Sequence, residues 1–161
     1  MRREIRVYTG QSGRLPFQRF ASAVIREFGL PIGVEELREE MHSWAGELFD
    51  GARELLAETS RKHRVACLCN SNDIQWPRVR DELALGQWFS DQFVSHELGL
   101  AKPQPEIYER VTTALGVTPS EVVFFDDSQP NVAGAIHAGW EPYQVQGAAE
   151  LRRELSRLTF L

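Results

Sequence analysis

The sequence predicts an α/β fold in which a helical amino-terminal part precedes a doubly wound, mostly parallel sheet. Two observations lead to this fold class. Apolar residues recur at helical spacing up to about residue 63, and strand-like and helix-like segments alternate from Val65 onward. Strands separated by helix-length segments require crossover connections, which make the strands parallel. With 161 residues, 42% of them hydrophobic, the chain suffices for one domain with a small helical insertion.

Three helices are predicted in the amino-terminal part. The first runs from Leu15 to Phe28, where Gly29 provides a stop signal. The second covers about residues 34–49, and the third covers about residues 51–63. We therefore expect a helical part in residues 1–50 and an α/β part in residues 51–161.

The α/β part is predicted to contain four strands, each followed by a helix-length segment. The strands cover about residues 65–69, 92–95, 122–125 and 143–145. The helices cover about residues 76–85 and 105–115, a segment that begins at Pro130, and about residues 148–158. Gly116 and Gly139 stand where two of these helices should end.

Composition excludes several classes of function. The formal net charge of −5 and the pI near 5.4 argue against a nucleic-acid partner, because no stripe of basic residues is present. No apolar run approaches the length of a membrane span, so we expect a cytoplasmic protein with no membrane partner. Cys67 and Cys69 share one strand face and are expected to be core thiols.

Polar residues follow three predicted strands. Cys69, Asn70 and Ser71 begin a run of small polar groups that could bind an anion or simply form a capped turn. Lys102 stands among glycine and prolines in a segment expected to be stiff and extended, although a lone lysine is usually a surface residue. Asp126 and Asp127 end the third strand, where an open α/β sheet keeps its ligands, or where a helix is capped.

Two motifs in tandem resemble the haloacid dehalogenase-like (HAD) superfamily of hydrolases. The first is Gly99-Leu100-Ala101-Lys102-Pro103 with Glu106-Ile107-Tyr108, and the second is Phe124-Phe125-Asp126-Asp127-Ser128 with Asn131 and Gly134-Ala135. More narrowly, the chain resembles the branch of small phosphatases with a helical cap, which includes sugar-phosphate phosphatases. The resemblance implies a HAD-like core in residues 51–161 and a partial cap in residues 1–50.

The resemblance also implies a role for each candidate site residue. Lys102 would be a catalytic and phosphate-binding lysine that stabilises charge on the transferred phosphoryl group. Asp126 and Asp127 would hold Mg²⁺, the implied cofactor. Asn70 and Ser71 would bind phosphate together with Cys69, which stands where the family has Ser or Thr. Since dehalogenases of the family lack the paired acids, the expected substrate is a small phosphorylated molecule.

One family feature is absent from this sequence. The family nucleophile is the first Asp of an Asp-x-Asp signature on a strand that precedes the cap helices, yet no Asp occurs here before Asp50. Residues 1–13 also contain no strand-like apolar run. We therefore expect a Mg²⁺-dependent phosphate-monoester hydrolase type whose catalysis is impaired in this chain as it stands.

The missing signature strand would lie between the strands that end at Cys69 and Phe125. We expect these two strands to pair directly, or a second chain or an upstream segment to supply the strand, as a homodimer or another strand-donating partner would. The alternative function is a non-catalytic HAD-like protein for binding, regulation or assembly. A receiver-like phospho-acceptor domain is excluded, because it needs its acid pair early and its lysine late.

Overall fold

The structure, a computed structural model, describes residues 16–161. The expectation that residues 1–13 contain no strand falls outside the described residues. Seven α-helices occur within the described range: α1 (Phe17–Phe28), α2 (Val34–Ser43), α3 (Ala52–Ser60), α4 (Ser95–Leu98), α5 (Pro105–Leu115), α6 (Gln129–His137) and α7 (Gly147–Arg157). A π-helical turn covers Arg78–Glu82, and 3-10 turns cover Gly86–Trp88 and Pro119–Glu121.

Two predicted helices differ from those observed. The helix expected over residues 34–49 ends at Ser43, because the chain turns at Gly46, whose φ of 68° is left-handed. The helix expected over residues 76–85 ends at Glu82 and is π-helical from Arg78, where the Leu83 N–H bonds to the Arg78 carbonyl at 2.8 Å. The other predicted helices are observed with small shifts of their ends. Gly116 caps α5 in a left-handed conformation, as expected.

The strands form two parallel pairs. Strands β1 (Ala66–Cys69) and β2 (Asp91–Val94) pair in one sheet, and β3 (Val123–Asp126) and β4 (Glu141–Gln144) pair in the other. Between residues 16 and 161, β1 and β3 make no ladder with each other. The expectation that these two strands pair directly is therefore wrong, because among the described residues β1 pairs with β2 and β3 pairs with β4.

Both strand pairs pack on one hydrophobic core. Its buried residues come from α5 and α6 and the turn after α6: Ile107, Tyr108, Val111, Ala135 and Trp140. Leu68 and Phe93 pack on this core from the first strand pair, and Phe124 packs on it from the second. The two pairs are thus held side by side by the same helices rather than by direct pairing.

Tyr108 is the centre of this core. It is fully buried, and its ring makes edge-on contacts with Phe124 and Trp140 at centroid distances of 6.4 and 5.1 Å. A Cβ at Gly134 would lie 2.8 Å from the Tyr108 hydroxyl, so only glycine lets α6 approach this closely. The close approach fixes α6 beside the end of β3.

A second, smaller core holds the helices α1 and α2. Ala21, Leu37 and Met41 are buried there against Ile74, which belongs to the loop after β1. The amino-terminal helices are thus packed directly on the loop that follows β1. No helix within residues 16–161 combines the length and the apolar character that crossing a membrane would demand.

Candidate functional site

The four strands end at one edge, here called the carboxyl edge. It is formed by the residues that follow each strand: 70–71 after β1, Ser95 after β2, Asp127 after β3 and Gln146 after β4. Hydrogen bonds connect these ends, since Ser71 bonds to Ser95 and Gln146 bonds to Asp127. The carboxyl ends of parallel strands are where open α/β sheets bind ligands.

Lys102 lies at the centre of the carboxyl edge. Its side chain is only 9% exposed, and its ammonium donates to Asp126 Oδ2 at 2.6 Å and to the Leu68 carbonyl at 2.7 Å. The ammonium also lies 5.4 Å from the centroid of the Phe124 ring. Lys102 therefore bridges β1 and β3 with a buried charge, instead of being a solvated surface lysine.

The backbone of Lys102 is held by Asn70. The Asn70 side chain accepts from the Lys102 N–H and donates to the Lys102 carbonyl, both at 2.9 Å. Lys102 was expected in an extended segment, but it lies in a turn in which the Gln104 N–H bonds to the Ala101 carbonyl. Since both polar groups of the Asn70 side chain are used here, the structure gives that side chain the task of positioning Lys102.

Asp126 accepts hydrogen bonds at both carboxylate oxygens. Oδ1 accepts from the Ser128 N–H and from the Asn131 side chain, both at 2.9 Å, while Oδ2 accepts from Lys102. Its side chain is 5% exposed. Tyr108 donates to the Asn131 carbonyl at 2.8 Å, which connects the carboxylate to the hydrophobic core. Asp126 is thus fixed in orientation by Ser128 in the turn before α6, by Asn131 of α6 and by Lys102.

Asp127 differs from Asp126 in its exposure and in its hydrogen bonds. The residue is exposed, and its carbonyl accepts from the side chains of Gln144 and Gln146 at 3.0 and 3.1 Å. Sequence reasoning did not identify either glutamine. Their position at the end of the fourth predicted strand could have identified them, because that strand ends at the same edge as Asp127.

The loop after β1 is fixed by the side chains of Ser95 and Asn72, which sequence reasoning did not identify. Ser95 is fully buried, and its hydroxyl accepts from the Ser71 N–H and donates to the Ser71 carbonyl. The capped turn that the sequence offered as an alternative is present, and its cap is Asn72, whose side-chain oxygen accepts from the N–H groups of residues 74 and 75. The backbone N–H of Ser71 is therefore already bonded, which leaves its side chain as its candidate phosphate contact.

Cys69 and Cys67 are protonated thiols in this environment. Burial raises the pKa of the Cys67 thiol to about 12, and the nearby Cys69 adds to the effect. Burial also raises the pKa of the Cys69 thiol, and the charges of Lys102 and Asp126 act on it in opposite directions. Cys69 thus lies within the field of the Lys102–Asp126 pair, and a neutral thiol is a weaker hydrogen-bond donor than a hydroxyl.

We expect the protein to lose stability as the pH rises above 9. The unfolded Cys67 thiol releases its proton around its ordinary pKa of 9.0, whereas the folded protein retains it up to about 12. The unfolded state therefore binds fewer protons in this window, and each such group lowers the free energy of unfolding by about 1.4 kcal/mol per pH unit. Urea unfolding at pH 7.5 and 10.5 measures the loss. Cys67→Ala should reduce the loss of unfolding free energy between the two pH values. An equal loss in both proteins would contradict a raised pKa of the Cys67 thiol.

The carboxyl edge can supply part of a magnesium site. Within residues 16–161, no group of three or more His, Cys, Asp or Glu side chains is arranged to hold a metal ion. Mg²⁺ usually takes only one or two carboxylates from the protein and completes its shell with water and substrate phosphate. Asp126 and Asp127 fit this limited share. Because the ammonium of Lys102 already contacts Asp126, a cation there would be bound weakly without further ligands.

The structure brings together most of the site residues that were predicted from the sequence. Asn70, Lys102 and Asp126 are connected by direct hydrogen bonds, and Cys69 lies beside them. Asp127 follows on the exposed side of the same edge. Their roles in binding phosphate and metal remain predictions.

Comparison with known proteins identifies relatives of this arrangement. A family model described as haloacid dehalogenase-like hydrolase matches residues 12–139. Flavin mononucleotide hydrolase 1 of Arabidopsis thaliana is 33% identical over 130 residues, which cover 81% of this chain and 53% of that protein. D-ribitol-5-phosphate phosphatase of Bacteroides thetaiotaomicron is 25% identical over 152 residues, which cover 91% of this chain and 74% of that protein. The chain thus spans about half the length of the first relative and about three quarters of the second.

A solved structure of a HAD family enzyme also resembles this chain. A HAD family enzyme of Bacteroides thetaiotaomicron, crystallised with magnesium and inorganic phosphate, superposes with a TM-score of 0.76 at 25% sequence identity. The match covers 87% of this chain and 74% of that enzyme. The predicted α/β fold class is confirmed by this likeness.

Proposed function

The chain belongs to the haloacid dehalogenase-like hydrolase family, and we propose that its carboxyl edge is a Mg²⁺-dependent phosphate-monoester site of the phosphatase type. One observation carries the proposal: the buried ammonium of Lys102 is held at 2.6 Å from Asp126, at the edge where all four strands end. A fixed positive charge where the strands end is suited to a phosphate dianion.

Each residue of the site has a distinct task in this proposal. Lys102 binds the phosphoryl oxygens and stabilises the negative charge that they carry. Asn70 keeps Lys102 in place through its two backbone hydrogen bonds. Asp126 and Asp127 are the protein ligands for Mg²⁺, which when bound neutralises phosphate oxygens. Ser71 and the Cys69 thiol are the remaining phosphate contacts.

The proposed substrate class is a small phosphorylated molecule. Relatives that act on flavin mononucleotide and on D-ribitol 5-phosphate support this class. The net charge of −5 does not favour nucleic acid as a partner. The helices α1 and α2, with the segment up to residue 50, serve in this proposal as a partial cap over the α/β part.

We further propose that this chain by itself binds phosphate but does not turn it over. The family reaction starts with attack by an Asp, and this sequence has no Asp before Asp50. Asp126, the acid at the centre of the edge, is already engaged by Lys102, Asn131 and the Ser128 N–H. The alternative is a HAD-like protein used only for binding, regulation or assembly, which would bind phosphate without any Asp-bearing strand ever completing the site.

A further part of the proposal is that an added strand lies between β1 and β3. It would pair with their inner edges, the sides of the two strands that do not face β2 or β4. The Val65 carbonyl of the β1 side bonds to Ser90 on the β2 side, whereas the Leu68 carbonyl points the other way and bonds to Lys102. On β3, the Asp126 carbonyl bonds toward β4. The carboxyl ends of β1 and β3 meet at Lys102, which bonds to the Leu68 carbonyl and to the Asp126 side chain. Within residues 16–161 no strand pairs with these inner edges, and a parallel strand from a second copy or another segment would satisfy both.

Thermal unfolding with and without ligands tests the phosphate site. We expect Mg²⁺ and inorganic phosphate together to raise the melting temperature, because a ligand that binds only the folded protein stabilises it by about 2.7 kcal/mol at one hundred times its Kd. Either ligand alone should act more weakly, since each completes the other's binding site. An unchanged melting temperature in excess of both would contradict the proposed function.

A further inference from the structure

Gln144 and Gln146 lie at the carboxyl edge and have no task in the proposed function. Strand β4 ends at Gln144, which stands opposite Asp126 in the β3–β4 ladder. The extended backbone continues beyond the strand, because the Val145 N–H bonds to the Asp126 carbonyl at 3.1 Å and Gln146 has a φ of −114° and a ψ of 100°. Successive residues of an extended chain point to opposite sides. The two glutamines therefore share one side, and both are exposed, while Val145 is 6% exposed.

Both side-chain amides donate to the same acceptor, the carbonyl of Asp127. The distances are 3.0 Å from Gln144 and 3.1 Å from Gln146. A carbonyl oxygen has two lone pairs, so these two donors suffice to occupy it. The backbone of Asp127 is thus held by the end of β4, although the residue itself is exposed.

The peptide group that contains this carbonyl also contacts Asp126. Its N–H belongs to Ser128 and donates to Asp126 Oδ1 at 2.9 Å. Because a peptide group is planar, holding its carbonyl also fixes the direction of its N–H. Hydrogen bonds in a chain polarise one another, so donors on the carbonyl strengthen the N–H as a donor. The two glutamines therefore act on both proposed Mg²⁺ ligands, on Asp127 through its backbone and on Asp126 through the Ser128 N–H.

Gln146 is itself held by α7. Its N–H donates to Glu150 Oε2 in the first turn of that helix, at 2.7 Å. Gln144 is held by the β3–β4 ladder. The pair of amides is thus supported by two different elements, both of which pack beside the carboxyl edge.

We propose that Gln144 and Gln146 are positioning residues of the proposed Mg²⁺ site, which set the relative orientation of the Asp126 and Asp127 carboxylates through the peptide group between residues 127 and 128. Mg²⁺ requires near-ideal octahedral geometry, so the few carboxylates that the protein supplies have to be oriented before the ion binds. The inference rests on the proposed function, because it requires Mg²⁺ at these carboxylates. The glutamines contact the backbone and not the reacting atoms, so they are not catalytic residues.

NMR spectroscopy of the ligand-free protein tests whether the amides hold this peptide group. The double variant Gln144→Met, Gln146→Met keeps the length of both side chains and removes both donors. The Ser128 amide proton should then move upfield, because its hydrogen bond to Asp126 weakens. Gln87→Met is the matched control, since Gln87 is exposed and its amide donates to the Ala84 carbonyl at 2.8 Å in the turn before β2. A Ser128 signal that stays in place in the double variant would overturn the inference.

The affinity for Mg²⁺ is the second measurement. Isothermal titration calorimetry with Mg²⁺ at a fixed concentration of inorganic phosphate should find the double variant bound about tenfold more weakly, a loss typical when partners that orient metal ligands are removed. Each single variant keeps one donor on the carbonyl, so the two single losses in binding free energy should sum to less than the double loss. Gln87→Met should keep the full affinity. Circular dichroism verifies that each variant is folded, which exposed substitutions are expected to preserve.

The outcomes separate this inference from the proposed function. An unchanged Mg²⁺ affinity in the double variant, or an equal loss in Gln87→Met, would overturn the inference and leave the proposed function in place. If Mg²⁺ does not bind to the unaltered protein, the proposed metal site fails and the inference fails with it.

Discussion

The purified chain should hydrolyse p-nitrophenyl phosphate at least about 10⁴-fold more slowly than a chain extended upstream by a strand that carries Asp-x-Asp. Loss of a nucleophile together with its acid/base partner removes several orders of magnitude from a catalysed rate. In the proposed site Lys102 binds the phosphoryl group and Asp126 serves Mg²⁺, but neither is placed to attack phosphorus, because the two groups are bonded to each other at 2.6 Å. Release of p-nitrophenol in the presence of Mg²⁺ measures both rates.

The extended chain needs its own control. Replacing the first Asp of the added motif by Asn should return the rate to that of the chain as given, because only the attacking carboxylate is changed. Turnover by the chain as given, abolished by Asp126→Asn, would show instead that these residues catalyse the reaction without the added strand. That outcome would contradict the proposed impairment.

Lys102→Met should destabilise the protein by about 3–5 kcal/mol. The substitution leaves the Asp126 carboxylate, whose side chain is 5% exposed, without its positive partner, and an unpaired buried charge is costly. It also removes the donor that occupies the Leu68 carbonyl. Urea unfolding monitored by circular dichroism measures the change.

The chain offers a direct control, because its two lysines are Lys62 and Lys102. Lys62 is exposed, so Lys62→Met should change the free energy of unfolding by no more than about 0.5 kcal/mol. The double variant Lys102→Met, Asp126→Asn should recover part of the loss, since it removes both charges. Equal unfolding midpoints for Lys62→Met and Lys102→Met would contradict the buried ion pair.

Local patterns in the sequence predicted most elements of this fold. Helix α5 and its Gly116 cap, the strand that ends at Asp126 and the helix that begins beside Pro130 follow from apolar spacing and from the conformational preferences of glycine and proline. The order of strands and helices was sufficient to place three polar sites at one edge. These features depend on neighbours in sequence, which is why they could be predicted.

Contacts between distant parts of the chain could not be predicted in the same way. The use of the Asn70 side chain to hold Lys102 joins residues 32 positions apart, and the Ser71–Ser95 pair joins residues 24 apart. No spacing rule relates such positions. The sequence also did not predict that the strands form two separate pairs. Strand pairing depends on how the helices pack the strands together, which is not a local property of the sequence.

The early end of α2 shows how one residue can override a pattern. Leu48 continues the apolar spacing of the predicted helix, but Gly46 adopts a left-handed conformation and turns the chain. The segment that results carries Phe49 to Gly147. A stretch predicted to be helix therefore becomes a connecting segment that contacts Arg78 and Gly147.

The most direct test of the phosphate site is the ammonium signal of Lys102. With only two lysines in the chain, ¹⁵N-lysine labelling gives an NMR spectrum in which Lys62 is an internal control. Adding inorganic phosphate with Mg²⁺ should shift the Lys102 ammonium resonance and leave that of Lys62 in place, because the proposed site puts phosphate beside the buried ammonium. A Lys102 resonance that stays fixed at saturating phosphate, or moves no more than that of Lys62, would contradict a phosphate site at the carboxyl edge.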